Sequence, residues 1–225
     1  SIELADKVGA DFILGSDPDA DRVAILIRYP DGKFRPISGN RTGVLLLDYV
    51  INAKKRCGTL PENAAALKTI VTTELARVVA EDSGVKCYDT FTGFKFMAEK
   101  KNKLEAAGEA KVIFSYEESI GYMLGDYVRD KDAVTASLML TEMAAWYYAQ
   151  KIPLYTALER IFEKFGYYDE YTVNLVMPGL EGMDKMKKIM DDLREKSPAE
   201  IEGERVVLLR DYECGIETDI KTGEK

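Results

Sequence analysis

"LKTIVTTELARVVAEDSGVKCYD", Leu67 to Asp89, alternates between two periods within one short run. "LKTIV" reads as a strand, "ELARVVAEDSG" as a helix and "VKCYD" as a second strand. The pattern continues downstream with a helix in "FKFMAEKKNKLEAAG" and a strand in "KVIFSY". Upstream, "TGVLLLDYVINAKKRCG" fits a helix from about Thr42, with Gly58 as its C-terminal stop. Strand-helix-strand repetition at this spacing implies an α/β fold, with a mixed, mostly parallel sheet and flanking helices.

Farther out the pattern changes. "DFILG", Asp11 to Gly15, and "VAILIR", Val23 to Arg28, read as strands around an acidic loop, and "YPDGKF" has the turn chemistry of a hairpin. "DAVTASLMLTEMAAWYYAQ" is apolar nearly all round, which implies a helix buried on most sides. Pro153 opens another helix to about Phe165, and "GYYDEY" has the look of a hinge. "YTVNLVM" reads as a strand, and "EGMDKMKKIMDDLREK" places Met183, Met186, Met190 and Leu193 on one helical face. "RVVLLRD" returns as a strand, so the last part looks like an unfinished domain.

Of the 225 residues, 46% are hydrophobic and 31% charged, a globular composition. A net charge of -8 argues against general affinity for nucleic acid or an anionic membrane, so a phosphate-bearing ligand needs local basic residues or a metal ion. There is no histidine, which removes the usual neutral-pH acid/base and the commonest zinc ligand. Cys57, Cys87 and Cys214 are scattered and odd in number, suggesting a reducing compartment, with the cytoplasm as the default. No apolar run reaches the length of a membrane span and no signal peptide opens the chain. A start at Ser1 without Met and a polar end in "IKTGEK" suggest a piece of something longer, or a trimmed complete protein.

Four short stretches carry chemistry. In "GSDPDADRVAILI", Asp17, Asp19 and Asp21 alternate and can converge if the loop curls around an ion. Carboxylates alone suit a hard cation, Mg²⁺ above all. A calcium hand needs Gly at its sixth position and Glu at its twelfth, where this chain has Arg22 and Arg28. An aspartyl-nucleophile phosphotransferase and a solvated acidic turn stay open. "FSYEESIGY" follows a strand and offers Glu117, Glu118 and Ser119 to a polyol, or simply to solvent. "VRDKDA" puts Arg129 and Lys131 just before a helix start that also favours anions, although Asp132 as a plain cap explains it too. "TFTGFKF" places Lys95 at another strand-to-helix junction, where a lone lysine is ordinarily surface.

The order of these four stretches resembles the α-D-phosphohexomutase superfamily, the phosphoglucomutases and phosphomannomutases. "DPDADR" looks like that family's magnesium loop, and the resemblance implies Asp17, Asp19 and Asp21 as Mg²⁺ ligands with Arg22 beside the active serine. "YEESIGY" resembles its sugar-recognition loop, implying that Glu117 and Ser119 bind sugar hydroxyls. By the same match Lys131 and Arg129 contact the substrate's phosphate, and Lys95 lies in the same cleft.

The resemblance spans essentially the whole chain, but the family's T-A-S-H-N-P-type serine loop and its R-x-S-G-T-type phosphate loop have no counterpart here. The implied layout is a second-domain tail over residues 1–37, a sugar-binding third domain over 38–167 and the start of a fourth over 168–225. Many relatives carry His after the sugar-loop serine; this chain has Ile120, Gly121 and Tyr122, so no acid/base role carries over. The implied activity is transfer of a phosphoryl group between C1 and C6 hydroxyls through a phosphoserine and a bisphosphate. Its substrate would be glucose 1- or 6-phosphate or a relative, with the isolated piece inactive. Phosphopentomutase, sugar-bisphosphate synthase and aspartyl-nucleophile phosphatase are the alternatives, besides a non-catalytic sugar-phosphate-binding module.

Overall fold

The computed structural model describes residues 1–126, 128–171 and 175–224. The chain divides into two compact units, Ser1–Glu170 and Tyr171–Lys225. In the first, helix α1 (Ile2–Val8) precedes an antiparallel sheet of order β1-β2-β3, formed by Phe12–Ser16, Val23–Arg28 and Phe34–Ile37. Val23, Ile25 and Ile27 are buried while the residues between them are partly exposed, the period-two signature of a half-covered strand. The expected hairpin turn is present, with Gly32 at φ 79° and its N–H donating to the Tyr29 carbonyl at 2.8 Å.

Helix α2 (Gly39–Arg56) begins earlier than its apolar pattern suggests, because Ser38 caps it: Ser38 Oγ accepts the Arg41 N–H at 3.3 Å. Strands β4 (Ala64–Thr69), β5 (Lys86–Thr90), β6 (Lys111–Glu117) and β7 (Gly121–Met123) form a second sheet of order β5-β4-β6-β7. β4 runs parallel to β5 and β6, joined by crossover helices α3 (Leu75–Asp82) and α4 (Phe94–Ala106), and β7 is antiparallel to β6. The sheet is thus mixed and mostly parallel. β7, part of a stretch read as loop, is the strand of this sheet that the pattern did not reveal.

Two further helices, α5 (Ala133–Ala149) and α6 (Leu154–Phe165), complete the unit. Ala64 and Ala66 of β4 face a core shared with α2, α3, α5 and α6, whereas Ala65 and Leu67 face Phe94, Met97 and Leu104 of α4. Cover on both faces explains why β4 is apolar without alternation. α5 corrects an expectation. Ala136, Leu140 and Met143 are buried, but Val134, Leu138 and Tyr148 are 71%, 66% and 71% exposed. Apolar composition all round therefore does not mean cover all round.

The second unit holds α7 (Gly179–Glu195) and two hairpins, β8 (Glu200–Ile201) with β9 (Glu204–Arg205), and β10 (Leu208–Asp211) with β11 (Ile216–Asp219). The run "RVVLLRD" is split between β9 and β10. Met183, Met186, Met190 and Leu193 lie on α7, and all four are exposed. Of the strand expected over "YTVNLVM", residues 172–174 lie outside the described residues and 175–177 form no strand. Among the described residues, no helix is long and apolar enough to cross a membrane.

Candidate functional site

The link between β1 and β2 is a short acidic turn. Ala20 takes a left-handed φ of 56° and its N–H donates to the Asp17 carbonyl at 3.1 Å, which curls the loop on itself. One carboxylate oxygen from each of Asp17, Asp19 and Asp21 then lies within 4.8 Å of the others. Asp17 Oδ1 accepts the N–H groups of Asp21 at 3.2 Å and Arg22 at 3.1 Å, and its Oδ2 accepts Arg22 Nε at 2.7 Å. Desolvation works to raise the Asp17 pKa, but the Arg22 and Asp21 hydrogen bonds outweigh it and hold the carboxyl down to about 2. Asp21 Oδ2 is 2.6 Å from Lys131 Nζ, while its Oδ1 is buried with no hydrogen-bond partner among the described residues.

The second loop turns from β6 into β7. Glu117, 5% exposed, accepts the Gly93 N–H on Oε1 at 2.7 Å and the Ser119 hydroxyl on Oε2 at 3.2 Å. Glu118 Oε2 accepts from the hydroxyls of Thr69 and Thr72, both at 3.1 Å. Ile120 has a φ of 62°, an unfavourable value for a β-branched residue, and its carbonyl accepts the Val23 N–H at 3.1 Å. Arg22 also bridges to Gly121. These two backbone links seat the acidic turn against the second loop. Gly39 lets the start of α2 approach just as closely: a Cβ there would sit 2.0 Å from the Glu118 carbonyl oxygen.

The basic residues divide. Lys131 lies at the acidic turn, its stem packed so close over Gly121 that a Cβ there would be 2.8 Å from Lys131 Cδ. Asp132 caps α5, accepting the Val134 and Thr135 N–H groups at 3.0 and 3.3 Å, and the Ala133 N–H donates to the Ala20 carbonyl at 3.1 Å. The cap is therefore present, with Lys131 directly before it. Arg129 is exposed. Lys95 is exposed too, 4.8 Å from the Phe96 ring; the "TGFK" turn meets the second loop through the Gly93 N–H and the buried Phe94 instead.

Lys68 has no role in the sequence reading, yet it is fully buried at the C-terminal end of β4. Its Nζ lies 2.7 Å from Glu74 and 2.9 Å from Asp89, and donates to the Thr72 carbonyl at 3.2 Å. Burial alone raises the Glu74 pKa, but hydrogen bonds from Lys68 and Arg77 turn the net shift downward. A lysine inside an otherwise apolar strand, followed by Thr-Thr-Glu, was the available signal.

Comparison with known proteins places the chain. A family described as phosphoglucomutase/phosphomannomutase, alpha/beta/alpha domain III, matches residues 38–165. A phosphoglucomutase of Staphylococcus epidermidis is 35% identical over 224 residues, which is 100% of this chain and 40% of that protein. The chain thus spans about two fifths of the length of the curated relatives it matches. Among solved structures, the open form of the Paramecium phosphoprotein parafusin, a phosphoglucomutase, matches with a TM-score of 0.58 at 20% identity, over 93% of this chain and 35% of that one. An Aspergillus fumigatus N-acetylphosphoglucosamine mutase, solved with GlcNAc-6P and magnesium, matches with a TM-score of 0.50 at 13% identity, over 66% of this chain and 32% of that one. At these identities the two structures speak for the fold alone.

Proposed function

The chain belongs to the phosphoglucomutase/phosphomannomutase family, and on that premise we propose that it is part of a magnesium-dependent mutase moving a phosphoryl group between the C1 and C6 hydroxyls of a hexose phosphate. The observation that carries this reading is the convergence of Asp17, Asp19 and Asp21 on one point beside the Glu117 loop. The donor set fits Mg²⁺: three carboxylates, no nitrogen or sulfur, and a buried Asp21 oxygen with no hydrogen-bond partner among the described residues. When bound, Mg²⁺ supplies positive charge to phosphoryl oxygens as they transfer.

The chain's own residues do the rest. Arg22, fixed by Asp17, faces the incoming phosphoserine, which the remaining three fifths of the whole protein would supply. Glu117 and Ser119 accept and donate to sugar hydroxyls, and a sugar bound in either orientation presents comparable hydroxyls to them. Lys131 takes the non-reacting phosphate, with Arg129 at the rim and Lys95 at the margin of the cleft. We assign residues 1–37 to the end of a preceding domain, 38–167 to the sugar-binding domain and 168–225 to the start of the next. Three unbridged thiols, Cys57, Cys87 and Cys214, suit a cytoplasmic setting. Nucleophilic attack by Asp17 is the weaker reading, since the Arg22 guanidinium paired with Oδ2 draws down its carboxylate's nucleophilicity.

The test is the whole protein with Asp19→Asn. Interconversion of glucose 1-phosphate and glucose 6-phosphate in magnesium is expected to fall by a factor of about 100 or more. Near-native turnover would overturn the assignment.

A further inference from the structure

We propose that Lys131 is the resident counter-ion of the cation loop, and that its ion pair with Asp21 makes cation binding and phosphate-ester capture depend on each other. This rests on the cation-loop reading above and goes beyond it. Asp21 is held unevenly: Oδ2 lies 2.6 Å from Lys131 Nζ, while Oδ1 is buried without a hydrogen-bond partner among the described residues and has only Arg22 Nε 3.6 Å away. Three carboxylates therefore share two positive side chains, Arg22 and Lys131. A divalent cation entering this cluster neutralises the charge that holds Lys131 and repels its ammonium. The cluster then carries excess positive charge, which a phosphate ester balances.

The side chain is built to change partners. Its stem runs over Gly121, where the missing Cβ leaves the room, and its backbone is fixed beside the Asp132 cap. Only the ammonium, on a flexible stem with three rotatable donors, has to swing. Asp130 Oδ1, 3.5 Å away and exposed, is its other anionic neighbour. Released from Asp21, the ammonium sits between the acidic turn and the Glu117 loop, where a phosphate ester would arrive. Thermodynamic linkage makes the effect reciprocal: what the cation does for the phosphate ester, the ester does for the cation.

Mn²⁺ binding to the 225-residue chain, followed by electron paramagnetic resonance, tests this with and without glucose 6-phosphate. Lys131→Met is expected to bind Mn²⁺ alone about five-fold more tightly or better. In the native chain glucose 6-phosphate is expected to tighten Mn²⁺ by a similar factor, an enhancement lost in Lys131→Met. Lys131→Arg keeps the charge and is expected to keep the native pattern. Unchanged Mn²⁺ affinity in Lys131→Met overturns the coupling; weaker affinity overturns it in favour of a lysine that merely orients Asp21. If Asp19→Asn binds Mn²⁺ as well as the native chain, the cation loop itself is wrong, and that failure is distinct.

Discussion

The Gly93 amide donates to Glu117 Oε1 at 2.7 Å, tying the start of α4 to the end of β6. A buried carboxylate is thus held by the backbone of a neighbouring crossover, and its second oxygen is left to Ser119. Glu117→Gln keeps a carbonyl acceptor for Gly93 but loses the charge. It is expected to fold with a near-native urea midpoint while slowing the sugar-dependent steps of the whole protein. Glu117→Ala removes the charged acceptor of the half-buried Gly93 N–H and is expected to cost about 1–3 kcal/mol in urea unfolding.

Gly39 is where α2 meets the Glu118 carbonyl, and the added Cβ of Gly39→Ala would lie 2.0 Å from that oxygen. Backbone cannot rotate out of the way as a side-chain tip can. The substitution is expected to destabilise the chain by about 1–3 kcal/mol, read by urea unfolding. Gly58→Ala, at φ 66° with nothing near its Cβ position, is strained only by its backbone and is expected to cost less, about 1 kcal/mol.

Asp126 gives a pH signature away from the site. Lys111 and Lys101 hydrogen-bond its carboxylate and hold its pKa down to about 2, from 3.8. A carboxyl depressed in the folded state stabilises above its unfolded value, and that contribution disappears as pH falls toward the folded one. Stability is therefore expected to decline between about pH 4 and pH 2. Asp126→Asn removes this group from the titration, so its acid unfolding curve is expected to be shallower in that window. Equal slopes would show that the pair contributes nothing.

The Lys131–Asp21 pair yields a kinetic expectation as well. In the whole protein, Lys131→Ala is expected to raise KM for the phosphorylated sugar about ten-fold or more, with a smaller change in kcat. An unaltered KM would return Lys131 to a purely structural place at the acidic turn.

Much of this arrangement is legible from one sequence, for identifiable reasons. The β4-α3-β5-α4-β6 core announces itself because strand and helix periods alternate over long stretches. The acidic triple is visible because all its carboxylates are local. β7 escapes because three residues after a left-handed Ile120 carry no period at all. The bare face of α5 escapes because composition does not record which side a neighbour covers. Lys68 with Asp89 escapes because the β4–β5 register pairs them across the sheet, and Lys131 with Asp21 because two loops from distant parts of the chain meet.

The hydrogen bond from the Val23 amide to the Ile120 carbonyl, with the Arg22–Gly121 bridge beside it, rivets the two loops to one frame. On the proposed function, a bisphosphate that presents first one end and then the other would not be turned by swinging these loops past each other. The sugar itself would then do the tumbling, against a fixed compass of carboxylates and hydroxyls. An insertion in either loop would then shift both bearings at once.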